Sequence, residues 1–413
     1  MSSRIINGLH FETKGFSWNI DERDRIFSPV GAVTFLDTML GDVENGGHYG
    51  PLRARYPELL IHLRLYPEAG WGDPNYRPHW IELSPTKWAR ECRRRLSVIP
   101  GLLDDPNVIL SFANEPDLAI EGHPAAAYPG HDNVSENTFR EIWTWYTWLV
   151  EEWRALPSAR CAIATVPLAA GHEPAGKPPD WEYTMAECKA MVDVCDVLNV
   201  HAYFLPDGTG ATETQDGYWR GIRCLRPKGY RENVQGKPPV GGIPDPGGFC
   251  AQYPNKPFIV SEFGNFAHDQ ADDASVVRTM VGYHACYKAY SDSGRCLGVT
   301  PFLWNSSDEH KANRIRGNAL LTQELQQMTR YAACEWPYKQ QAEEETPVAN
   351  YAYILGFADY AKAHPEVGLP TSDLMYDAHG NGFQYTENGR LEWNKQGNQT
   401  LFFVAVKAKG VII

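Results

Sequence analysis

Two short apolar runs in this chain each deliver a glutamate at their end. In Val108–Pro116 (VILSFANEP) the run leads into Asn114 and Glu115, and in Phe258–Gly264 (FIVSEFG) it leads into Glu262. An ionisable side chain directly behind strand-length apolar residues is costly to bury, so it stands at the mouth of a sheet or serves a purpose there. Two carboxyl groups facing one another across a cleft can divide the work of opening a glycosidic bond. One, held protonated, gives its proton to the departing oxygen, and the other, held ionised, attacks the anomeric carbon from the opposite face. Glu115 in the first role needs its pKa raised by burial and by nearby negative charge. Glu262 in the second needs hydrogen bonds that favour its charged form. Either glutamate alone is as well explained by a strand-end salt bridge.

The elements that must position them follow from the rhythm of the chain. Apolar runs of strand length recur at Ile5–Phe11, Ala32–Leu36, Leu59–Leu65, Val108–Ala113, Ala162–Pro167, Val197–Ala202, Phe258–Ser261 and Gly298–Leu303. Between them Pro85–Val98, Glu136–Ala155, Trp181–Val194 and Ala274–Ser291 carry helical periodicity, with Ile142, Trp145, Trp148 and Leu149 expected on one face. Strands alternating with helices predict an α/β fold, a (β/α)₈ TIM barrel, whose strand ends open together onto one face. Only a short or irregular helix fits between the first two strands. Two stretches without periodicity, His123–Asn137 and the Gly- and Pro-rich Pro206–Asn255, are expected to line a site.

Composition narrows the function. The chain of 413 residues carries 38 Lys and Arg against 51 Asp and Glu, a net charge of −13, which argues against nucleic acid as a partner. Its 13 Trp and 21 Tyr offer flat faces of the kind that meet sugar rings. No apolar stretch is long enough for membrane insertion, and the first residues lack the pattern of an export signal. The chain as written is expected to be cytoplasmic, or secreted if a leader has been removed. Nine scattered cysteines form no C-x-x-C pair. Most are expected as buried thiols, with a disulfide open between Cys224 and Cys250, and neither a metal nor another cofactor is expected.

With these motifs in order, the chain up to about Asn305 resembles the clan A retaining glycoside hydrolases, which include the family-five cellulases and mannanases. The resemblance implies Glu115 as general acid/base on strand four and Glu262 as nucleophile on strand seven. It implies that Asn114 meets the sugar 2-hydroxyl, that His201 and Tyr203 of VLNVHAYF surround the nucleophile, and that Trp304 of VTPFLWN stacks on the sugar being cleaved. It also calls for an arginine beside the nucleophile, for which Arg64 of LLIHLRLY is the candidate. The clan carries that arginine on strand two, whereas Arg64 falls on the third strand counted here. His10, Trp71, His172, Glu173, Trp219 and Asn305 are further candidates to line the cleft. The implied substrate is a β-linked glucan, mannan or related oligo- or polysaccharide, cleaved by double displacement. A catalytically inactive glycan-binding barrel is the alternative, and a metal-dependent hydrolase would need strand-end histidine clusters, for which His10 alone stands early in the chain.

Beyond residue 320 the character changes. Residues 1–320 are read as the barrel, 321–349 as a polar helix and linker, and 350–413 as a small module with a helix, a Gly-Leu-Pro turn, a hairpin at HGNG and a final apolar strand, Leu401–Val406. The module is similar to the LGFP-type repeats of bacterial cell-surface proteins, which implies contact with a surface glycan; a plain packing appendage explains it equally well.

Overall fold

The structure, a computed structural model, describes residues 5–11, 30–37, 49–66, 79–118, 133–156, 159–169, 173–174, 176–204, 221–229, 242–265, 273–302, 323, 328–336, 356–364, 375–376, 382–386, 389–394 and 399–404. The chain divides into two compact units, Met1–Lys339 and Gln340–Ile413.

In the first unit each apolar run forms a strand: β1 (Gly8–His10), β2 (Ala32–Leu36), β3 (Leu60–Arg64), β4 (Val108–Ser111), β5 (Ala162–Ile163), β6 (Leu198–Phe204), β7 (Phe258–Asn265) and β8 (Cys296–Pro301). All pair in parallel. The first five make one sheet in chain order, and β6, β7 and β8 make a second. Single parallel bridges, Ala164 to Val197 and Asn7 to Val299, link the edges of the two sheets. Near-continuous apolar runs are what parallel strands buried on both faces require. One face carries a layer of Ala32, Leu60, Ile109, Ala162, Ala164, Val197, Ile259 and Leu297, all fully buried and without a helix residue among them. That layer defines the inner face. The other face packs on helices.

Those helices are α1 (Tyr49–Arg55), α2 (Pro85–Ser97), α3 (Glu136–Arg154), α4 (Ala186–Val194) and α5 (Asp273–Asp292). α2 and α3 begin where a serine, Ser84 or Ser135, accepts a hydrogen bond from a first-turn N–H, filling a site the helix itself leaves open. α3 buries Phe139, Ile142, Trp143, Tyr146, Leu149 and Val150 completely. Trp148, expected on that stripe, is half-buried and donates instead to Glu152 at 3.1 Å. The helix expected over Trp181–Val194 is broken at Met185, into a 3-10 turn (Trp181–Thr184) and α4. Residues 12–29, where a short first helix was expected, lie outside the described residues.

Pro206–Asn255 holds more structure than its sequence suggests. Phe249–Gln252 forms a helical turn, and Phe249 stacks on Tyr183 with ring centroids 4.0 Å apart. Buried Arg226 reaches Asp180 at 3.0 Å and Asp245 at 2.7 Å, tying the segments after β5 and β6 together. All nine cysteines are free, eight of them buried, so the disulfide left open for Cys224 and Cys250 is not formed. Of the segment 321–349, read as a polar helix and linker, residue 323 is helical, Met328–Arg330 is a 3-10 turn and residues 331–336 are non-helical, and the rest lies outside the described residues. The backbone bonds of 331–336 go to sheet edges, Tyr331 O accepting from Ile6 N at 2.9 Å and Cys334 N donating to Cys296 O at 2.9 Å. Edge pairing satisfies the same peptide groups a helix would, and ties the chain across β1 and β8.

A Cβ on Gly298 would lie 2.4 Å from the Cβ of Ala32, so β8 needs glycine there. Gly298→Ala is expected to lower unfolding free energy by about 1–3 kcal/mol, the cost of overpacking a filled interior, as read from urea melts. An unchanged midpoint would show that the inner layer has slack.

The second unit has a helix, α6 (Gly356–Ala363), and an antiparallel sheet of β9 (Met375–Tyr376), β10 (Gly382–Thr386), β11 (Gly389–Asn394) and β12 (Gln399–Val404) in that order. β9 and β10 form the hairpin expected at HGNG, and the final apolar strand pairs with β11 from Asn394↔Gln399 to Gly389↔Val404. Among the described residues, no helix is long and apolar enough to cross a membrane.

Candidate active site

The strand ends carry the acids to one place. After β4 the chain leaves the sheet, and side chains from the helix layer hold it: Trp88 Nε1 donates to the Phe112 carbonyl at 2.8 Å, while the Phe112 N–H donates to the Tyr146 hydroxyl at 3.3 Å. Two residues on, Asn114 is buried. Glu115 then takes φ of +28°, in the left-handed region, directly before Pro116. A non-glycine residue persists there only when its surroundings over-determine it. Here a turn from Leu118 N–H to Glu115 O at 2.9 Å closes behind it, and Asp117 Oδ1 accepts from Ala169 N–H at 2.9 Å. The kink aims the Glu115 carboxyl at β6.

On β6, His201 and Tyr203 point to the inner face, and both meet the acids. His201 Nδ1 lies 2.6 Å from Glu115 Oε1 and 3.5 Å from Glu262 Oε2. Tyr203 donates its hydroxyl to Glu262 Oε2 at 2.6 Å, and Arg64 Nη2 donates to Glu262 Oε1 at 2.5 Å. Gly264 lies opposite Tyr203; a Cβ there would sit 3.3 Å from its ring, so glycine leaves the ring its place. Oxygens of Glu115 and Glu262 and a nitrogen of His201 all lie within 4.8 Å of one another. Three such atoms are a conceivable cation cage. Each oxygen of Glu262 already accepts from Arg64 or Tyr203, however, so a cation would have to compete with a guanidinium for the same carboxylate.

The two carboxyls are pushed in opposite directions. Burial raises the pKa of Glu115, the negative charges of Glu262 and Asp117 add to the rise, and His201 opposes them. Burial would raise Glu262 as well, but His201, Arg64 and the Tyr203 hydroxyl outweigh it and hold its carboxyl well below the usual range. Burial also depresses His10, to about 3, with Arg64 adding to the effect, so His10 is neutral at physiological pH. A carboxyl that holds its proton more tightly than usual beside one whose charged form is favoured is the division of labour that acid-assisted nucleophilic displacement requires.

Opposite shifts have opposite consequences for stability. A carboxyl whose folded pKa is raised contributes fully only below its unfolded value of about 4.3, and that contribution is lost as pH rises through the folded value. Ionised Glu115 therefore costs stability at neutral pH. Glu115→Gln is expected to raise the melting temperature at pH 7–8, by about 2–4 °C for each kcal/mol recovered, with the gap closing toward pH 4. A melting temperature that falls at pH 7–8 would mean that the hydrogen bond to His201 outweighs the burial cost.

Of the residues singled out from sequence, Arg64, Glu115, His201, Tyr203 and Glu262 are in mutual contact, with Asn114 buried beside them. Arg64 comes from β3, as counted from the sequence, and bonds Glu262, whereas the resemblance places its arginine on the second strand. His10 lies beneath the acids, bonded through Nδ1 to the Ser261 carbonyl at 3.0 Å. Trp304, with Trp71, His172, Trp219 and Asn305, lies outside the described residues. Glu173 forms a two-residue pairing with Asn133–Val134.

Sequence reasoning missed a polar layer under the acids, made of Thr34, His62, Ser111, Asn199 and Thr300, all buried. The signal was present. Each is a hydrogen-bonding residue within an otherwise apolar strand: AVTFL, LIHLR, VILS, LNVHAYF and CLGVTP.

No protein-family model and no curated relative matches this chain. Among solved structures it is similar to a GH26 endo-β-1,4-mannanase from Bacillus sp. JAMB-750, at 11% identity and a TM-score of 0.44, over 79% of this chain and 85% of that one. It is similar to a GH5-4 broad specificity endoglucanase from an uncultured bacterium, at 12% identity and a TM-score of 0.43, over 72% and 80% of the two chains. A family 5 xyloglucanase from Paenibacillus pabuli shares 10% identity at a TM-score of 0.43, over 77% and 92%.

Proposed function

We propose that this protein is a retaining O-glycosidase that hydrolyses a β-linked glucan, mannan or related glycan by double displacement, and that its two parallel sheets are the arcs of one (β/α)₈ barrel. The observation that carries the reading is the pair of carboxyls, with oxygens within 4.8 Å and pKa values displaced in opposite directions. Retaining enzymes hold their two carboxyls about 5–5.5 Å apart, whereas inverting enzymes leave about 6.5–9.5 Å for a water between them. In the first step a Glu262 oxygen attacks the anomeric carbon while Glu115 protonates the leaving oxygen. In the second, Glu115 takes a proton from the water that opens the glycosyl-enzyme. Arg64 and Tyr203 hold Glu262 ionised and oriented; Asn114 is assigned to the 2-hydroxyl and Trp304 to the sugar face. The second unit is assigned to location or surface-glycan contact and contributes no catalytic group.

The test is a panel of aryl β-glycosides and β-linked polysaccharides, with the anomer of the first-formed product read by NMR. Retained configuration is expected, with a bell-shaped pH profile whose basic limb, set by Glu115, lies above the ordinary carboxyl range and whose acid limb, set by Glu262, lies below it. Inverted product would defeat the double-displacement reading. Specific glycan binding without turnover would favour an inactive binding barrel.

A further inference from the structure

β7 carries one residue more than β6, and at the same place, between Val299 and Pro301, one more than β8, whose own extra residue, Leu297, lies two pairs earlier. Against β6, Val200 pairs with Val260 but the next residue, His201, pairs with Glu262, leaving Ser261 over; against β8, Val299 pairs with Val260 and Pro301 with Phe263, so Thr300 alone faces both Ser261 and Glu262. This is a β-bulge, and in a strand it reverses which side chains face inward. Ile259 belongs to the inner layer, whereas Phe263, an even number of residues later, packs outward on Tyr283, Tyr287 and Tyr290 of α5. Regular alternation would have turned Glu262 outward, with Val260. The bulge turns it inward.

The Ser261 carbonyl at the bulge accepts from His10 Nδ1 at 3.0 Å and from Thr300 Oγ1 at 2.7 Å. A carbonyl only accepts, so both partners donate. The Val260 carbonyl lies 3.2 Å from the same hydroxyl, so the one proton of Thr300 is directed at the β7 backbone, nearest to Ser261, and Thr300 accepts from Thr34 Oγ1 at 2.9 Å, while Thr34 in turn accepts from His62 Nδ1 at 3.2 Å. Burial holds the His62 pKa well below its ordinary value, so the ring is neutral and its other nitrogen is bare. His62 Nε2 then accepts from Ser111 Oγ at 2.8 Å, which accepts from Asn199 Nδ2 at 3.0 Å. Every hydrogen in this chain has one self-consistent direction. It runs from β6 through β4, β3, β2 and β8 and ends on the one carbonyl that makes the bulge.

We infer that His10 and Thr300 are positioning residues, which anchor the β7 bulge through the Ser261 carbonyl at the end of this directed hydrogen-bond chain and so turn Glu262 onto Arg64 and Tyr203. The inference rests on the proposed function only where it speaks of turnover; where Glu262 points is independent of it. Chains of aligned hydrogen bonds polarise and rigidify one another, which suits a group that must be held to a fraction of an ångström.

The experiment pairs crystal structures with kinetics for Thr300→Val, which keeps the shape and removes the donor, and Thr300→Ser, which keeps the donor. His10→Leu and His10→Asn form a second pair, because an asparagine amide can replace the Nδ1–H; they give the same comparison should Thr300→Val fold poorly. In the valine and leucine variants Glu262 is expected to leave Arg64. On an aryl glycoside that the wild type cleaves, kcat is expected to fall roughly 10- to 100-fold with KM little changed, the scale of an ångström's misplacement. The loss should be equal across leaving groups and leave the Glu115 basic limb unmoved, with serine and asparagine restoring kcat to within about 3-fold. A merely structural role would lower stability in all four without that rescue. A Glu262 that keeps its contact with Arg64 in both donor-less variants overturns the inference, whatever the rates. A Glu262 that moves, in a protein whose wild type cleaves no glycoside, upholds it and defeats the proposed function instead.

Discussion

Glu262→Ala is expected to lower kcat on every glycoside by roughly 10⁴-fold or more, the scale on which loss of a covalent nucleophile acts. The loss should not depend on the leaving group, because no other carboxylate among the described residues stands in this pocket in its place. Added azide, entering the space left by the side chain, is expected to restore part of the rate and to give a glycosyl azide of inverted configuration. The substitution also removes a carboxylate from buried Arg64, so the melting temperature should fall as well. Glu262→Gln, which keeps the shape and removes the charge, separates the two effects: it too should be inactive, with a smaller loss of stability. Retained turnover in a folded Glu262→Ala protein would remove Glu262 from the mechanism.

Glu115→Ala is expected to discriminate between substrates. Poor leaving groups need the proton, and their kcat should fall by about 10²–10⁴-fold; a dinitrophenyl leaving group needs little help and should lose roughly 10-fold or less in the first step. Azide should here capture the glycosyl-enzyme and give product of retained configuration, opposite to the product from the Glu262 variant. The basic limb of the pH profile, which the raised pKa of Glu115 places above the ordinary carboxyl range, should disappear. Equal losses on all substrates, with the basic limb intact, would assign the proton to another group, and His201, 2.6 Å from Glu115, would be the first to test.

Much of this site was legible in the chain. The strands announced themselves as apolar runs because a parallel strand buried on both faces has no polar side to show, and the glutamates and the arginine were readable as charges at the ends of those runs. Other features depended on partners far away in sequence. Whether residues 328–336 formed a helix was decided by the edges of β1 and β8, which offered the same peptide groups other partners. Whether Cys224 and Cys250 joined was decided by a packed interior in which both remain thiols.

The orientation of the acids belongs to the second kind. Read as a regular strand, FIVSEFG sends Glu262 to the same side as Val260, away from the inner face, and nothing in those seven letters says that Ser261 will be left over. The extra residue appears only when the register against β6 and β8 is counted, and its carbonyl is held by His10 and Thr300, 251 and 39 residues distant. Glu115 is similar: its φ of +28° follows from the turn to Leu118 and from Trp88 and Tyr146 gripping the backbone at Phe112. Sequence alone determined which residue types arrive at the ends of which strands, because side-chain hydrophobicity and strand length are local properties. Tertiary structure alone decided where the carboxyls point and which way the pKa of each is pushed, because direction and pKa are set by groups that only the assembled strands bring together.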